Sequence, residues 1–268
     1  MIIRFWGTRG SVPSPSKHTV EFGANTACVE VTLESGRTLI LDAGTGIRPM
    51  GLDYMGRNGV DTTIHLLMSH VHWDHIQGFP FFVPAYIGKY TIHLYSNYDL
   101  EDLLGRQMTA PFFPVAMEVM RSEMVFHKFD CGAGFKIGSA EIKTTLLPHP
   151  QPVCGYRIEE GGSSIVYSTD CEPKNDEDIS AVAEFAGGAD VLLIDAQYTP
   201  DQYKGLEGRG HTTYETAAGI ARKAGVKKLV LYHHDPGHSD AEIAEIEKKA
   251  KEIMPRTVAA REGLILEV

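Results

Sequence analysis

The sequence predicts an α/β protein in which sheets are sandwiched between helices, and three observations carry that prediction. Strand patterns joined by turns fill the first half, strand and helix alternate in the last third, and several strands end on a histidine or an aspartate. In chain order, residues 2–6, 27–33, 38–41 and 62–69 read as strands, with Glu34-Ser35-Gly36-Arg37 turning between the second and third. Strand patterns recur at 90–95, 124–129, 135–147 with a break near Gly138, 153–158 and 164–168. Between them, 99–108 reads as a helix. It cannot run on through Thr109-Ala110-Pro111-Phe112-Phe113-Pro114-Val115, because both prolines interrupt it, so aromatic rings are left on a loop. In the last third, 190–194 is a strand, 212–224 a helix, 228–232 a strand and 239–254 a helix. Thr212 with Glu215, and Ser239 with Glu242, have capping-box spacing. Gly225 sits where a helix C-terminal glycine belongs, and Ile243, Ile246, Ala250 and Ile253 make one apolar stripe at helical spacing.

A chain of 268 residues that is 43% hydrophobic can bury a sizeable core, and it fits a single domain over 1–268 better than two small ones. The net charge of −10 argues against a general nucleic-acid surface, which relies on clustered Lys and Arg to release counterions, although it leaves a local basic groove open. No stretch approaches the roughly 20 apolar residues that span a bilayer, and the first residues run into a strand pattern without a signal-peptide layout. The expectation is a cytoplasmic protein with no membrane partner; a homo-oligomer stays open. Cys28, Cys131, Cys154 and Cys171 are widely spaced, form no CxxC pair, and are expected to be reduced thiols.

"SHVHWDH", residues 69–75, places three histidines and an aspartate directly after an apolar strand. His70 and His72 are two apart, so at an extended strand end their imidazoles leave one face and can converge on one ion. Asp74 and His75 follow after the chain turns at Trp73. Imidazole and carboxylate without thiolate suit zinc, with manganese or iron as substitutes. Further ligands should also sit at strand ends. Three candidates do: His149 in "LLPHP", Asp170 in "VYSTD" and His233 in "KLVLYHH". His65 and His93 lie within strand patterns and read as packed or surface residues, while His18, His127 and His238 are isolated. Cys171 points away from whatever Asp170 faces.

These residues resemble the metallo-β-lactamase superfamily, whose HxHxDH signature stands here as His70-x-His72-x-Asp74-His75. "GTRGSVPSP", "LILDAGTG", "LPHP", "YSTD", "GHTTYETAAGIARKAG" and "KLVLYHHD" follow in the order of its branch holding transfer-RNA 3′-processing endonucleases and related phosphodiesterases. The resemblance implies a four-layer αββα sandwich with two metals at one sheet edge. It implies that His70, His72 and His149 bind the first metal, that Asp74, His75 and His233 bind the second, and that Asp170 bridges them. His234 competes with His233 for the last position, or else faces substrate. His211 is implied to hold the scissile phosphate or protonate the leaving group, beside a helix N-terminus that favours phosphate. Asp42 of "LDAGTG" is expected to orient a ligand histidine.

Two metals lower the pKa of a shared water and neutralise an oxyanion, which serves hydrolysis of a phosphodiester or ester-like bond, with Asp74 as a proton acceptor. The phosphodiester reading rests on the resemblance, on His211 and on Arg9 in "GTRG". The chain departs from the endonucleases in having Ile194-Asp195-Ala196-Gln197-Tyr198 where they carry His-Glu-Ala-Thr, and in lacking a long basic, glycine-rich arm. Both points favour a small diester such as a cyclic nucleotide, for which Arg106 near Phe112 and Phe113 is a candidate contact. A nuclease acting on RNA or DNA ends is the alternative, and a non-catalytic metal-binding sensor is a third.

Overall fold

The computed structural model covers residues 1–268 and sorts the strand patterns into two seven-stranded sheets. The first contains β1 (Ile2–Gly7), β2 (Cys28–Thr32), β3 (Thr38–Leu41), β4 (Thr63–Leu67), β5 (Thr91–Ser96), β6 (Glu123–Lys128) and the late strand β14 (Ile265–Glu267), in the order β14-β1-β2-β3-β4-β5-β6. The second contains β7 (Gly134–Ile137), β8 (Ala140–Leu147), β9 (Val153–Glu160), β10 (Ser163–Ser168), β11 (Val191–Asp195), β12 (Lys228–Tyr232) and β13 (Thr257–Ala259), in the order β13-β12-β11-β10-β9-β8-β7. Strands β3 to β6 are parallel, as are β10 to β13, so in each sheet several carboxyl ends share one edge. Ligands of open α/β sheets bind at such edges.

Strand alternation sets the layers. Leu193 of β11 and Val230 of β12 point inward, where they meet Val29, Leu39, Leu41 and Leu67 of the first sheet in one core between the sheets. Their neighbours Leu192, Ile194, Leu229 and Leu231 point outward and are covered by α4 (Asp176–Phe185), α6 (Tyr214–Ala224) and α7 (Asp240–Ile253). On the far side, Ile40, Ile64 and Leu66 pack under α1 (Ile47–Gly56) and α3 (Leu100–Gln107). Two single-turn helices, α2 (Trp73–Ile76) and α5 (Pro200–Tyr203), lie in loops. The result is the expected four-layer αββα sandwich. No helix is long and apolar enough to cross a membrane.

Differences from the sequence reading have local causes. The helix expected from Thr212 begins at Tyr214, with Thr213 as the cap that accepts from the Thr216 backbone N–H. The Thr212 N–H is instead given to the Asp195 carboxylate, which holds the chain extended for one more residue. The box at Ser239 and Glu242 forms as the spacing predicts, and Gly225 ends α6 in the left-handed region at φ 65°. Helices α1 and α4 were not anticipated. Pro49 obscures the first, although proline is tolerated in an opening turn, and α4 opens on an Asn175 side-chain cap. His127 is not isolated: His93 and His127 approach to 2.9 Å between ring nitrogens, and His65 stacks on His93.

Candidate metal centre

The edge formed by the carboxyl ends gathers the candidate residues. Asp42 follows β3, the 70–75 loop and α2 follow β4, Asp170 follows β10, Asp195 closes β11, and His233 follows β12. His149 joins them from the loop between β8 and β9.

Asp170 stands between two groups of side chains. On one side, His72, His149 and Asp170 bring ligand atoms within reach of a common point, and His70 Nε2 lies 3.5 Å from Asp170 Oδ2. On the other, Asp74, His75 and His233 converge, and the Nε2 atoms of His75 and His233 each lie 3.2 Å from Asp170 Oδ1. Asp74 Oδ2 is 3.0 Å from His233 Nε2 and 3.3 Å from His75 Nε2. All seven residues that the sequence reading singled out as metal ligands are thus in one cluster.

Neighbours orient the rings of His70, His75, His149 and His233 so that Nε2 points inward, whereas His72 Nε2 lies 3.1 Å from Gln151 Oε1. His75 Nδ1 sits 2.8 Å from Asp42 Oδ2, His233 Nδ1 3.0 Å from Gln197 Oε1, and His149 Nδ1 3.0 Å from the Gln151 carbonyl. His70 Nδ1 lies 3.0 Å from Ser69 Oγ, which itself donates to Asp42. Its Nε2 is left buried with no hydrogen-bond partner. Burial, with His75 nearby, holds His70 well below the ordinary imidazole range, so this nitrogen presents a bare lone pair to the cluster. An orphaned acceptor is costly unless something electrophilic meets it, and a divalent cation would. Burial would also discharge His75, but Asp74, Asp170 and Asp42 prevail and raise it well above its usual range. The carboxylates therefore set up a field that demands positive charge. This donor set can hold metal ions.

Asp42 contacts the cluster through His75. Besides His75 it accepts from the Ser69 backbone N–H, from Ser69 Oγ–H and from Tyr167 Oη–H at 2.7 to 2.8 Å. Asp42→Asn replaces an acceptor by a donor beside His75, and it is expected to weaken metal affinity roughly 10- to 100-fold. Competition with a chromogenic chelator measures this.

Backbone strain is concentrated here. The four non-glycine residues with positive φ are Ser11, Asp42, Asp170 and His233, at 63°, 61°, 49° and 60°. Ser11 joins the others because its N–H donates to Asp74 Oδ2 at 2.7 Å. Such strain is tolerated where surrounding contacts over-determine the backbone, and it clusters at functional sites. Gly10 is needed as well, since a Cβ there would lie 2.4 Å from the His233 ring.

His211 Nδ1 contacts Asp195 Oδ2 at 2.7 Å, and its ring stacks on His233 with centroids 4.9 Å apart. Burial opposes a charge on His211, yet Asp195, aided by Asp170 and Asp74, outweighs it and pushes the imidazole up to about 9. Asp195 was read in the sequence only as a departure from His-Glu-Ala-Thr. It supplies the carboxylate that the departure seemed to remove, and its place at the end of β11, matching Asp170 and His233 after their strands, was the available signal. Gln197, Ser69 and Tyr167 were missed because single polar residues in strands and loops carry no spacing signal. Glu172 was missed too; it accepts from the Gly208 and Gly210 N–H groups and from Tyr203 Oη, fixing the loop that carries His211.

Two expectations are corrected. His234 does not face the cluster: its buried Nε2 lies 2.9 Å from the Ala260 carbonyl, its ring meets Phe22 edge-on, and burial lowers it to about 3. Its neighbour His233 takes the inward place through the left-handed turn. Arg9 does not face it either. Its guanidinium is fully buried and donates to the carbonyls of Gly23, Asp235 and His238, tying loops together beneath the site. Arg106 is exposed, pairs with Asp102 at 3.3 Å, and lines a groove described below.

Residues 37–234 match the family described as the Beta-lactamase superfamily domain. The ribonuclease Z of Methanosarcina acetivorans is 23% identical over 313 aligned residues, covering 99% of this chain and 97% of that relative. Among solved structures, human tRNase Z, short form, superposes with a TM-score of 0.73 at 20% identity, over 100% of this chain and 98% of that one. A diphosphatase from the PhnP family gives 0.74 at 19% identity, over 100% and 97%.

Proposed function

Because this chain belongs to the beta-lactamase superfamily and is a metal-dependent hydrolase, we infer that it is a two-ion phosphodiesterase whose substrate is an RNA chain. The observation that carries the reading is the His211–Asp195 pair, 2.7 Å apart, set beside a cluster with two ligand groups about Asp170. Relatives named ribonuclease Z support RNA as the substrate class. The apparent lack of a carboxylate partner for His211, which favoured a small diester, is answered by Asp195.

The donor set suits zinc, with manganese or iron as substitutes. His70, His72, His149 and Asp170 would hold one ion, and Asp74, His75, His233 and Asp170 the other. When bound, such ions acidify water and neutralise charge that develops on phosphoryl oxygens. Asp74, fixed by the Ser11 N–H and by His233, is placed to accept a proton at its carboxylate. His211, held through Nδ1 by Asp195, presents Nε2 as the donor to the leaving oxygen.

A second reading, a small diester such as a cyclic nucleotide, is favoured by the net charge of −10, which opposes a polyanion. One assay separates them: zinc- or manganese-loaded protein with bis-p-nitrophenyl phosphate, a panel of cyclic nucleotides and a short RNA over a range of salt. The RNA reading expects RNA cleavage whose kcat/KM falls steeply between 50 and 200 mM salt while ester hydrolysis changes little, by roughly tenfold or more for a few phosphate contacts. Cyclic nucleotide turnover without RNA cleavage favours the second reading. Absence of turnover on any phosphodiester sinks both.

A further inference from the structure

The loop that supplies His70, His72, Asp74 and His75 also supplies residues of opposite character. Val71 and Trp73 alternate with the candidate ligands and, with Ile76, Leu103, Arg106 and Phe112, line an open cavity of about 390 Å³. That is a size at which small-ligand pockets occur. Trp73 is 67% exposed and Phe112 84% exposed, in a protein that buries most of its large apolar side chains. Two exposed aromatic faces on one cavity, one of them inside the signature loop, mark a recognition surface.

The polar groups at this cavity narrow the ligand. Arg106 is the one cationic residue lining it, and its surface pair with Asp102 is cheap to give up. Gln107 also lines the cavity; its Nε2 donates to the Ile76 carbonyl at 3.0 Å, while its Oε1 is closed off from solvent with no hydrogen-bond partner. Phe113, next to Phe112, packs against Phe81 at 5.7 Å and anchors the aromatic loop. A flat ring linked to an anion is the ligand that two aromatic faces and one guanidinium complement.

We propose that this groove is a nucleobase subsite, with Trp73 and Phe112 stacking a base of the substrate beside the phosphodiester held at the metal cluster. Single bases bind proteins in this manner, on aromatic faces with arginine adding cation–π attraction. Val71 and Trp73 are chain neighbours of His70, His72 and Asp74, so the groove and the candidate ligands are built on one loop. The inference rests on the phosphodiesterase reading only in its placing of the phosphate, so a base can be detected there without turnover.

Trp73 and Trp6 are the only tryptophans, and Trp6 Nε1 is held by Glu30, so Trp73 reports on the groove. Adenosine is expected to quench tryptophan fluorescence in the millimolar range, and ribose 5-phosphate is not. Trp73→Phe should abolish the quench, and Phe112→Ala should weaken it by about fivefold or more, the low end for losing one stacked base. In parallel, Phe112→Ala should lower by a similar factor the ratio of kcat/KM for adenosine 5′-(p-nitrophenyl phosphate) to that for methyl p-nitrophenyl phosphate. No quench by adenosine, or a Phe112→Ala variant that leaves both quench and ratio intact, overturns the subsite. A fluorescence change that follows protein concentration instead of nucleoside also overturns it, by assigning the groove to a second copy of the chain. If neither ester is hydrolysed by the parent protein, the phosphodiesterase reading fails while the quench still decides the subsite.

Discussion

Asp170→Ala is expected to bind at least one fewer metal ion and to lose about 10³-fold or more in kcat/KM on any phosphodiester, because several kcal/mol of charge stabilisation goes with it. Asp170 meets His72 and His149 in one group of candidate ligands, and His70, together with His75 and His233 of the other group, faces its carboxylate between 3.2 and 3.5 Å. It is also buried and held at φ 49°. Asp170→Asn keeps a side chain that tolerates the left-handed backbone, and so separates loss of charge from loss of fold. Both variants should remain folded by far-ultraviolet circular dichroism. Metal content by mass spectrometry and turnover of bis-p-nitrophenyl phosphate measure the rest; a variant that retains full metal and activity would remove Asp170 from the centre.

Asp195→Asn is the second large effect, and it acts on the pH profile. In the native arrangement the Asp195 carboxylate holds the His211 proton up to about 9. As a proton donor His211 is active below its pKa and lost above it, so activity should decline on an alkaline limb. Bound divalent ions lower that limb and Asp195 raises it. Removing the largest opposing charge leaves burial countered only by the smaller pull of Asp170 and Asp74, so the limb of Asp195→Asn should move at least about one pH unit toward acid. His211→Ala should lose roughly 10²- to 10⁴-fold and show no such limb. The leaving group tests the role further: esters with p-nitrophenolate, which departs without a proton, should suffer least. Equal losses on RNA and on activated esters would make His211 a binding residue.

The fold was legible where periodicity was strong. The parallel strands β4, β10, β11 and β12 read as short apolar runs closed by His or Asp, and a run of that kind needs both faces covered, which implies helices on the outside. Helices α1 and α4 were illegible because their apolar positions are interrupted, by Pro49 in one and by an acidic opening turn at Asp176, Glu177 and Asp178 in the other. The candidate ligands could be found from sequence because each imidazole or carboxylate lies at a strand end, and strand ends in a parallel sheet meet. What orients them could not. Ser69, Gln197 and Tyr167 reach Asp42 or His233 through side-chain hydrogen bonds formed across 27 to 125 positions of chain, a relation that no local pattern encodes. The choice between His233 and His234 likewise needed the backbone, since a left-handed residue turns one ring inward and sends the next to the Ala260 carbonyl. Arg9 misled for a related reason. A buried arginine that donates to backbone carbonyls is indistinguishable, in sequence, from one that awaits a phosphate.

The most direct test of the two-ion centre is anomalous diffraction from zinc-loaded crystals, recorded on both sides of the zinc absorption edge. Two peaks about 3.5 to 4 Å apart are expected, with the Asp170 carboxylate between them, one peak toward His70, His72 and His149 and the other toward Asp74, His75 and His233. A single peak at full loading, or a peak at Asp195 and His211 in place of one of these, would contradict the account.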